Sequence, residues 1–175
     1  PLVDGGQVVG ARLKGPDGSV EVASRWLVLA TGAALPPLVA AGVCERRAPS
    51  GIALRGYFRH PGLAERHRAL ELVWHPRLAG GYGWIFPGPD GVFNVGVGLT
   101  GSHATGRDGR SAMREVNLRA MLGAFAEVHP PAGELLRDGE AVGELKGAPL
   151  RCSLGGARWS RPGMLVAGEA AGSTY

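Results

Sequence analysis

Three aromatic side chains at alternate positions, Tyr82, Trp84 and Phe86, followed at once by Pro87, are the residues of this chain whose types and spacing best suit chemistry. A period of two puts all three rings on one face of a strand. After eight residues that follow Pro87 and include the turn residues Pro89-Asp90-Gly91 stand Gly96 and Gly98, again two apart. Rings on one strand and bare backbone on its neighbour predict a flat apolar slot, suited to a planar or long apolar molecule. Each ring taken singly also fits an ordinary sheet core.

A second group lies at the end of the chain. Met164 to Ala167 reads as a short buried strand, and Gly168-Glu169-Ala170-Ala171-Gly172 as the glycine-flanked start of a helix. Such a junction exposes backbone N–H groups and partial positive charge to an anionic ligand. A carboxylate there, Glu169, can accept hydrogen bonds from sugar-like hydroxyls. Thr31-Gly32-Ala33 has the same character after the apolar run Trp26 to Ala30. Both also read as plain tight turns. If residues 1–33 and 160–175 share one sheet, the two turns lie side by side, as ligand sites in α/β sheets do.

The surrounding elements follow from pattern. Gln7 to Leu13 and Val20 to Ala23 flank Gly15-Pro16-Asp17-Gly18 and predict a hairpin. Trp26 to Ala30 is continuously apolar, as a strand buried on both faces requires. Leu35 to Ala41 predicts a short helix, and Arg46 to Ser50 a linker. Ile52 to Arg59, Ala69 to His75, Tyr82 to Pro87 and Val92 to Thr100 predict four successive strands without an intervening helix, hence an antiparallel sheet. Ser102 to Gly109 reads as loop. Ser111 to Val128 is the one main helix, with Leu118, Met121, Leu122, Phe125 and Val128 at three- and four-residue steps, Arg114, Glu115 and Arg119 opposite, and His129-Pro130-Pro131 as its stop. Ala141 to Leu150 predicts a further strand.

The predicted fold class is α+β with an α/β part. Residues 1–33 belong to a cofactor-binding domain, 34–50 link, 51–155 form an antiparallel-sheet substrate domain, and 156–175 return to the first domain.

Composition excludes several functions. With 45% hydrophobic and 19% charged residues the chain is globular. Its apolar runs fall far short of the ~20 residues of a membrane span. Its net charge of +4 rests on scattered arginines, Arg46, Arg47, Arg55, Arg59, Arg66, Arg68, Arg158 and Arg161, not on a block. Nucleic-acid binding wants clustered cations with interleaved aromatics. Cys44 and Cys152 lack metal or disulfide spacing and read as reduced thiols. The five histidines, His60, His67, His75, His103 and His129, lack ligand spacing and read as surface residues, although His60 and His67 could meet on a loop. No metal is expected. The reading is cytoplasmic, with a mildly basic face that leaves room for peripheral contact with a membrane.

Tyr82-x-Trp84-x-Phe86-Pro87, eight residues, then Gly96-x-Gly98 resembles the motif of the geranylgeranyl reductases, FAD-dependent enzymes with the fold of para-hydroxybenzoate hydroxylase. Ala30-Thr31-Gly32-Ala33 sits where that family has its second FAD motif, and Leu54-Arg55-Gly56-Tyr57 resembles the strand that opens its substrate domain. Gly168-Glu169-Ala170-Ala171-Gly172 sits at its GD-A-A-G motif near the flavin. The resemblance implies a partial Rossmann-like FAD-binding domain contributed by both ends of the chain. It also implies NAD(P)H as reductant and hydride delivery to C=C bonds of an isoprenoid or other apolar substrate. Tyr82, Trp84 and Phe86 would wall that substrate's cavity facing the flavin, with Pro87 shaping the strand end. Gly96 and Gly98 would let substrate or flavin approach the backbone. Tyr57 and Tyr82 are the candidate proton donors.

Two positions depart from the pattern. Glu169 stands where the family has Asp, which moves the carboxylate by one methylene. Thr31-Gly32 replaces Asp-Gly, which removes a carboxylate, so no pyridine-nucleotide role attaches there. The GxGxxG turn that holds an FAD pyrophosphate is absent from residues 1–33. The sequence therefore reads as a piece cut at both ends that retains little flavin on purification; a stoichiometric yellow complex would overturn that expectation. Two further readings stand beside the reductase: a flavin-dependent aromatic hydroxylase or halogenase of the same fold, and a non-catalytic lipid-binding module.

Overall fold

Where the sequence alternates, strands pair. Leu2–Asp4 (β1), Gln7–Gly15 (β2) and Gly18–Ala23 (β3) form an antiparallel meander. The structure, a computed structural model, describes residues 1–45, 49–78, 80–100 and 116–173. Leu27–Leu29 (β4) follows, then the helix Leu35–Ala40 (α1), whose first turn accepts Pro36 and Pro37 because those N–H groups need no partner.

Gly51–Arg59 (β5), Pro61–Arg66 (α2), Glu71–Trp74 (β6), Tyr82–Pro87 (β7), Val92–Thr100 (β8), Leu118–Val128 (α3), Pro130–Asp138 (α4), Glu140–Ala141 (β9) and Lys146–Leu150 (β10) come next. Ser160–Arg161 (β11) and Met164–Val166 (β12) complete the series. The chain divides into two compact units, Pro1–Ser50 with Leu150–Tyr175, and Gly51–Pro149.

In the first unit β12 runs parallel to β4, with Met164 beside Leu27 and Val166 beside Leu29, and β11 pairs with β12. Leu27, Leu29 and Val166 pack on a core of Val8, Leu35, Leu38, Val43, Cys44 and Met164. The expectation that Trp26 to Ala30 is buried on both faces does not hold. Val28 is 55% exposed and its neighbour Leu165 45%. The strand has helix α1 and its core on one face only.

The second unit is a sheet in the order β10-β5-β8-β7-β6, with β9 also on β5. One face carries Leu54, Ile85, Phe93, Val95 and Val97 and packs against Met121, Leu122 and Phe125 of α3 and Leu135 of α4. Phe125 lies directly over Gly83, where a Cβ would stand 2.5 Å from its ring. Truncating such a fully buried Phe to Ala costs about 3–5 kcal/mol.

Several boundaries differ from expectation. The main helix begins at Leu118, not Ser111, because the Asn117 side chain accepts from the Arg119 and Ala120 N–H groups and caps it; residues 111–115, with Arg114 and Glu115, lie outside the described residues, as do the loop 102–109 and residues 46–48 of the linker. Pro130-Pro131 ends α3 and also opens α4, a second helix in place of a stop. A helix, α2, stands between β5 and β6. Ala141 to Leu150 is two strands rather than one, broken where Gly143 takes a positive φ of 87°.

Candidate functional site

Strand alternation separates the two faces of the second sheet. Opposite the helices stand Leu72 and Trp74 of β6, Tyr82, Trp84 and Phe86 of β7, Asn94, Gly96 and Gly98 of β8, and Ala53, Arg55, Tyr57 and Arg59 of β5. Successive ring centroids are 6.0 Å apart from Trp74 to Tyr82, 5.9 Å from Tyr82 to Trp84, and 6.0 Å from Trp84 to Phe86. These four rings form one tilted tier. The Trp84 indole N–H donates to Asn94 Oδ1 at 3.0 Å, which fixes the ring's orientation.

The glycines work differently from expectation. A Cβ on Gly96 would lie 2.4 Å from Trp84 Cζ2, and one on Gly98 3.1 Å from Tyr82 Cζ. Gly96 and Gly98 do not offer bare backbone to a ligand; they seat the protein's own rings. The result is a filled apolar wall, not a slot between strands. Trp84 is only 8% exposed within it, while Trp74 is 68% exposed and Tyr82 and Phe86 are half-buried.

At the Phe86–Pro87 end of the tier a shallow cleft of about 390 Å³ opens, lined by Tyr57, Arg59, Phe86, Pro87, Val92 and Asn94, with Asp90 in the turn at its edge. Tyr57 is 37% exposed, and the Arg55 guanidinium carbon lies 4.8 Å from its ring centre.

The terminal motif, in the first unit, folds as a short 3-10 turn, Gly168–Ala171, ending on Gly172 with φ 82°. The expected helix does not start there: the left-handed Gly172 turns the chain, and its N–H closes on Glu169 O. Because β12 and β4 are parallel, Gly168 and Thr31-Gly32-Ala33 follow their strands at the same end of one sheet. Gly32 and Glu169 come together, with a Cβ on Gly32 standing 3.7 Å from Glu169 Oε2. Glu169 Oε1 accepts from the Arg151 N–H at 3.0 Å.

Arg151 escaped sequence reasoning. It is 2% exposed, its Nε donates to Ala170 O at 2.8 Å, and its Nη1 reaches Cys44 Sγ at 3.1 Å. Ala170 and Cys44 are buried beside it. Nothing local in Leu150-Arg151-Cys152 distinguishes this arginine from its exposed counterparts.

Nor are the histidines all surface residues. His60 caps α2 by accepting from the Leu63 N–H, and its Nε2 lies 3.3 Å from Glu134. Glu134 also takes a hydrogen bond from Arg66, which holds its carboxyl below the usual carboxylate range. His67, 9% exposed, lies 3.6 Å from Glu71, and His129 2.7 Å from the same carboxylate. Sequence sets His129 far from Glu71, whereas His67 stands only four residues before it. Among the described residues no group of His, Cys, Asp and Glu is arranged to hold a metal, and no helix is long and apolar enough to cross a membrane.

No family model matches the chain. Among characterised proteins it is 33% identical to digeranylgeranylglycerophospholipid reductase 1 of Methanopyrus kandleri over 105 residues, 59% of this chain and 28% of that protein. It is 29% identical to reductase 2 of the same organism over 178 aligned positions, 97% of this chain and 41% of that protein. The chain thus spans less than half the length of these relatives. Among solved structures, a geranylgeranyl bacteriochlorophyll reductase-like protein of Thermoplasma acidophilum superposes with a TM-score of 0.64 at 22% identity, over 97% of this chain and 40% of that one. The flavin-dependent brominase Bmp2 superposes with a TM-score of 0.65 at 19% identity, over 97% and 42%. The fold is therefore one that reductases and halogenases share. Its sequence relatives, matched over less than half of their length, are thus named as digeranylgeranylglycerophospholipid reductases, and its aromatic motif resembles that of the geranylgeranyl reductases.

Proposed function

We propose that this chain carries the substrate wall and part of the cofactor site of an FAD-dependent reductase acting on isoprenoid C=C bonds, with NAD(P)H as the source of electrons. The tier Trp74–Tyr82–Trp84–Phe86 carries this reading: four contiguous rings on the sheet face away from the helices and their core. A wall of this kind binds a long apolar chain by burying its methylenes, each worth about 0.8 kcal/mol. Asn94 holds Trp84 so that the wall is rigid before a ligand arrives.

The turns after β4 and β12 fit a group that contacts backbone. Gly32 and Gly168 both take left-handed φ, 60° and 64°, and a Cβ on Gly168 would meet nothing within 4 Å, so the backbone there is open. Thr31, Gly32, Ala33 and Gly168 to Gly172 are the residues that would hold FAD, with Glu169 positioned by the Arg151 N–H. FAD, when bound, supplies the hydride for reduction of the alkene. Tyr57 and Tyr82 carry the phenols nearest the wall and are the proton donors of this reading.

The test is Trp84→Ala in the intact reductase. Prenyl reduction is lost while the flavin absorbance of the purified protein is retained. Unchanged turnover assigns Trp84 to packing alone, and an oxygenated or halogenated product overturns the reductase reading.

A further inference from the structure

Arg151 is a cation buried without a carboxylate. Among the described residues Arg12, Arg66, Arg77 and Arg137 each pair with one, and all four are exposed. Arg151 is 2% exposed, yet the carboxylate beside it, Glu169, takes its backbone N–H and not its guanidinium. A buried charge with no opposite charge on it is costly, so its place in the fold calls for an explanation. A guanidinium carries five N–H donors. Nε donates to Ala170 O and Nη1 to Cys44 Sγ, whereas Nη2 donates to nothing among the described residues. Nor is Nη2 sealed in. The enclosed side-chain nitrogens without a partner are Nε2 of His67 and Nε2 of His129, so Nη2 keeps an edge open to solvent. Gly172 stands next to it, since a Cβ there would lie 3.6 Å from Arg151 Cζ.

One fork nitrogen is therefore free at the corner of the Gly168–Ala171 turn, on a side chain that two other hydrogen bonds hold still. A donor fixed in advance loses little freedom when an acceptor arrives. We infer that Arg151 binds a phosphate-type anion of the cofactor through Nη2, and that this anion answers the charge the fold leaves unpaired. The inference rests on the turn being part of the FAD site. Guanidinium N–H groups suit phosphate oxygens, and such charge-assisted bonds are roughly twice as strong as neutral ones. Glu169 is the carboxylate at this turn that would repel the anion, and the Arg151 guanidinium offsets it from the adjoining strand end.

FAD carries a diphosphate and riboflavin carries none, so the two ligands isolate the anion. Calorimetric titration of the flavin-free intact reductase with FAD, riboflavin and inorganic pyrophosphate tests the assignment. Arg151→Gln keeps a neutral donor for Ala170 O and loses the charge; Arg151→Lys keeps the charge and loses the fork. Arg151→Gln is expected to weaken FAD at least about tenfold, the order of one charge-assisted hydrogen bond, and to leave riboflavin unchanged. Arg151→Lys keeps most of the FAD affinity. An arginine that only braces the turn gives another pattern, with both flavins weakened alike and the Gln variant no worse than the Lys variant; that pattern overturns the anion role. In the unsubstituted protein the nitrogen-15 signal of Arg151 Nη2 moves on adding FAD and stays in place with riboflavin. This measurement decides the matter if the variants unfold, and a signal that FAD leaves unmoved overturns the assignment. Pyrophosphate that displaces FAD at equal concentration makes this a free-anion site and overturns the cofactor as its ligand. If FAD binds the parent and both variants equally, the Arg151 assignment falls and the cofactor turn stands. If neither flavin binds the parent, the turn is not a cofactor site and the assignment falls with it.

Discussion

Gly96→Ala separates a glycine that seats a ring from a glycine that clears space for a ligand. The new Cβ would stand 2.4 Å from Trp84 Cζ2, 2.7 Å from its Cη2 and 2.5 Å from Leu54 O. Both neighbours must move, and one is backbone in the paired strand β5. Overpacking a filled site costs about 1–3 kcal/mol. Displacing the indole from Asn94 adds about 1 kcal/mol. Replacing a strand glycine recovers about 0.5–1 kcal/mol of chain entropy, leaving a net loss of about 1–3.5 kcal/mol. At Gly98 the closest atoms are Tyr82 Cζ and Oη at 3.1 Å, on a half-buried ring able to tilt. There the entropy gain offsets the crowding, and Gly98→Ala should fall within about 0.5 kcal/mol of the parent. Urea unfolding followed by tryptophan fluorescence gives both numbers, and near-ultraviolet circular dichroism reports the displaced indole. Equal midpoints for the two variants refute the ring-seating argument. A stable Gly96→Ala that fails only to bind geranylgeraniol does so as well, because that is the behaviour of a glycine kept bare for ligand.

Two more outcomes follow from buried or paired charge. Arg151→Met leaves Ala170 O without its donor and should lower stability by about 1–3 kcal/mol in thermal unfolding, with Arg151→Lys restoring only part because one ammonium cannot span both acceptors. The Glu134 carboxyl, held low by the Arg66 hydrogen bond, should titrate below the ordinary glutamate range by carbon NMR and return to it in Arg66→Gln. Its depressed folded-state value means that the stability it lends is fully present above the unfolded value. That stability is lost as pH falls through the folded value, so Arg66→Gln should lower stability near neutrality and flatten its fall with pH in the acid range.

Local pattern carried the strands of the aromatic face. The bounds of Tyr82–Pro87 and Val92–Thr100 could be read because alternation, a proline end and a Pro-Asp-Gly turn agree. Leu118 to Val128 was legible from its apolar period, but its start depended on Asn117, a cap whose signal is one residue long. The second helix was hidden because Pro130-Pro131 reads equally as a stop and as a first turn. What the glycines do was not legible at all. Whether Gly96 faces ligand or Trp84 is decided by the register between strands, which no single strand's sequence states. The same holds for Arg151, and for Glu71 with His129. Their partners lie far away along the chain, and tertiary packing brings them together.

The parallel pairing of Met164–Val166 with Leu27–Leu29 also sets an order of events during synthesis. The unit bounded by Gly51 and Pro149 is contiguous and can close as soon as it leaves the ribosome, whereas the sheet begun at Leu27 waits until residue 166 has been made. Until then Leu27 and Leu29 lack their neighbouring strand, and the nascent chain carries an open edge through more than a hundred residues of translation. Slow elongation between residues 150 and 166 would prolong that exposure, and refolding of residues 1–175 should show the discontinuous unit forming last.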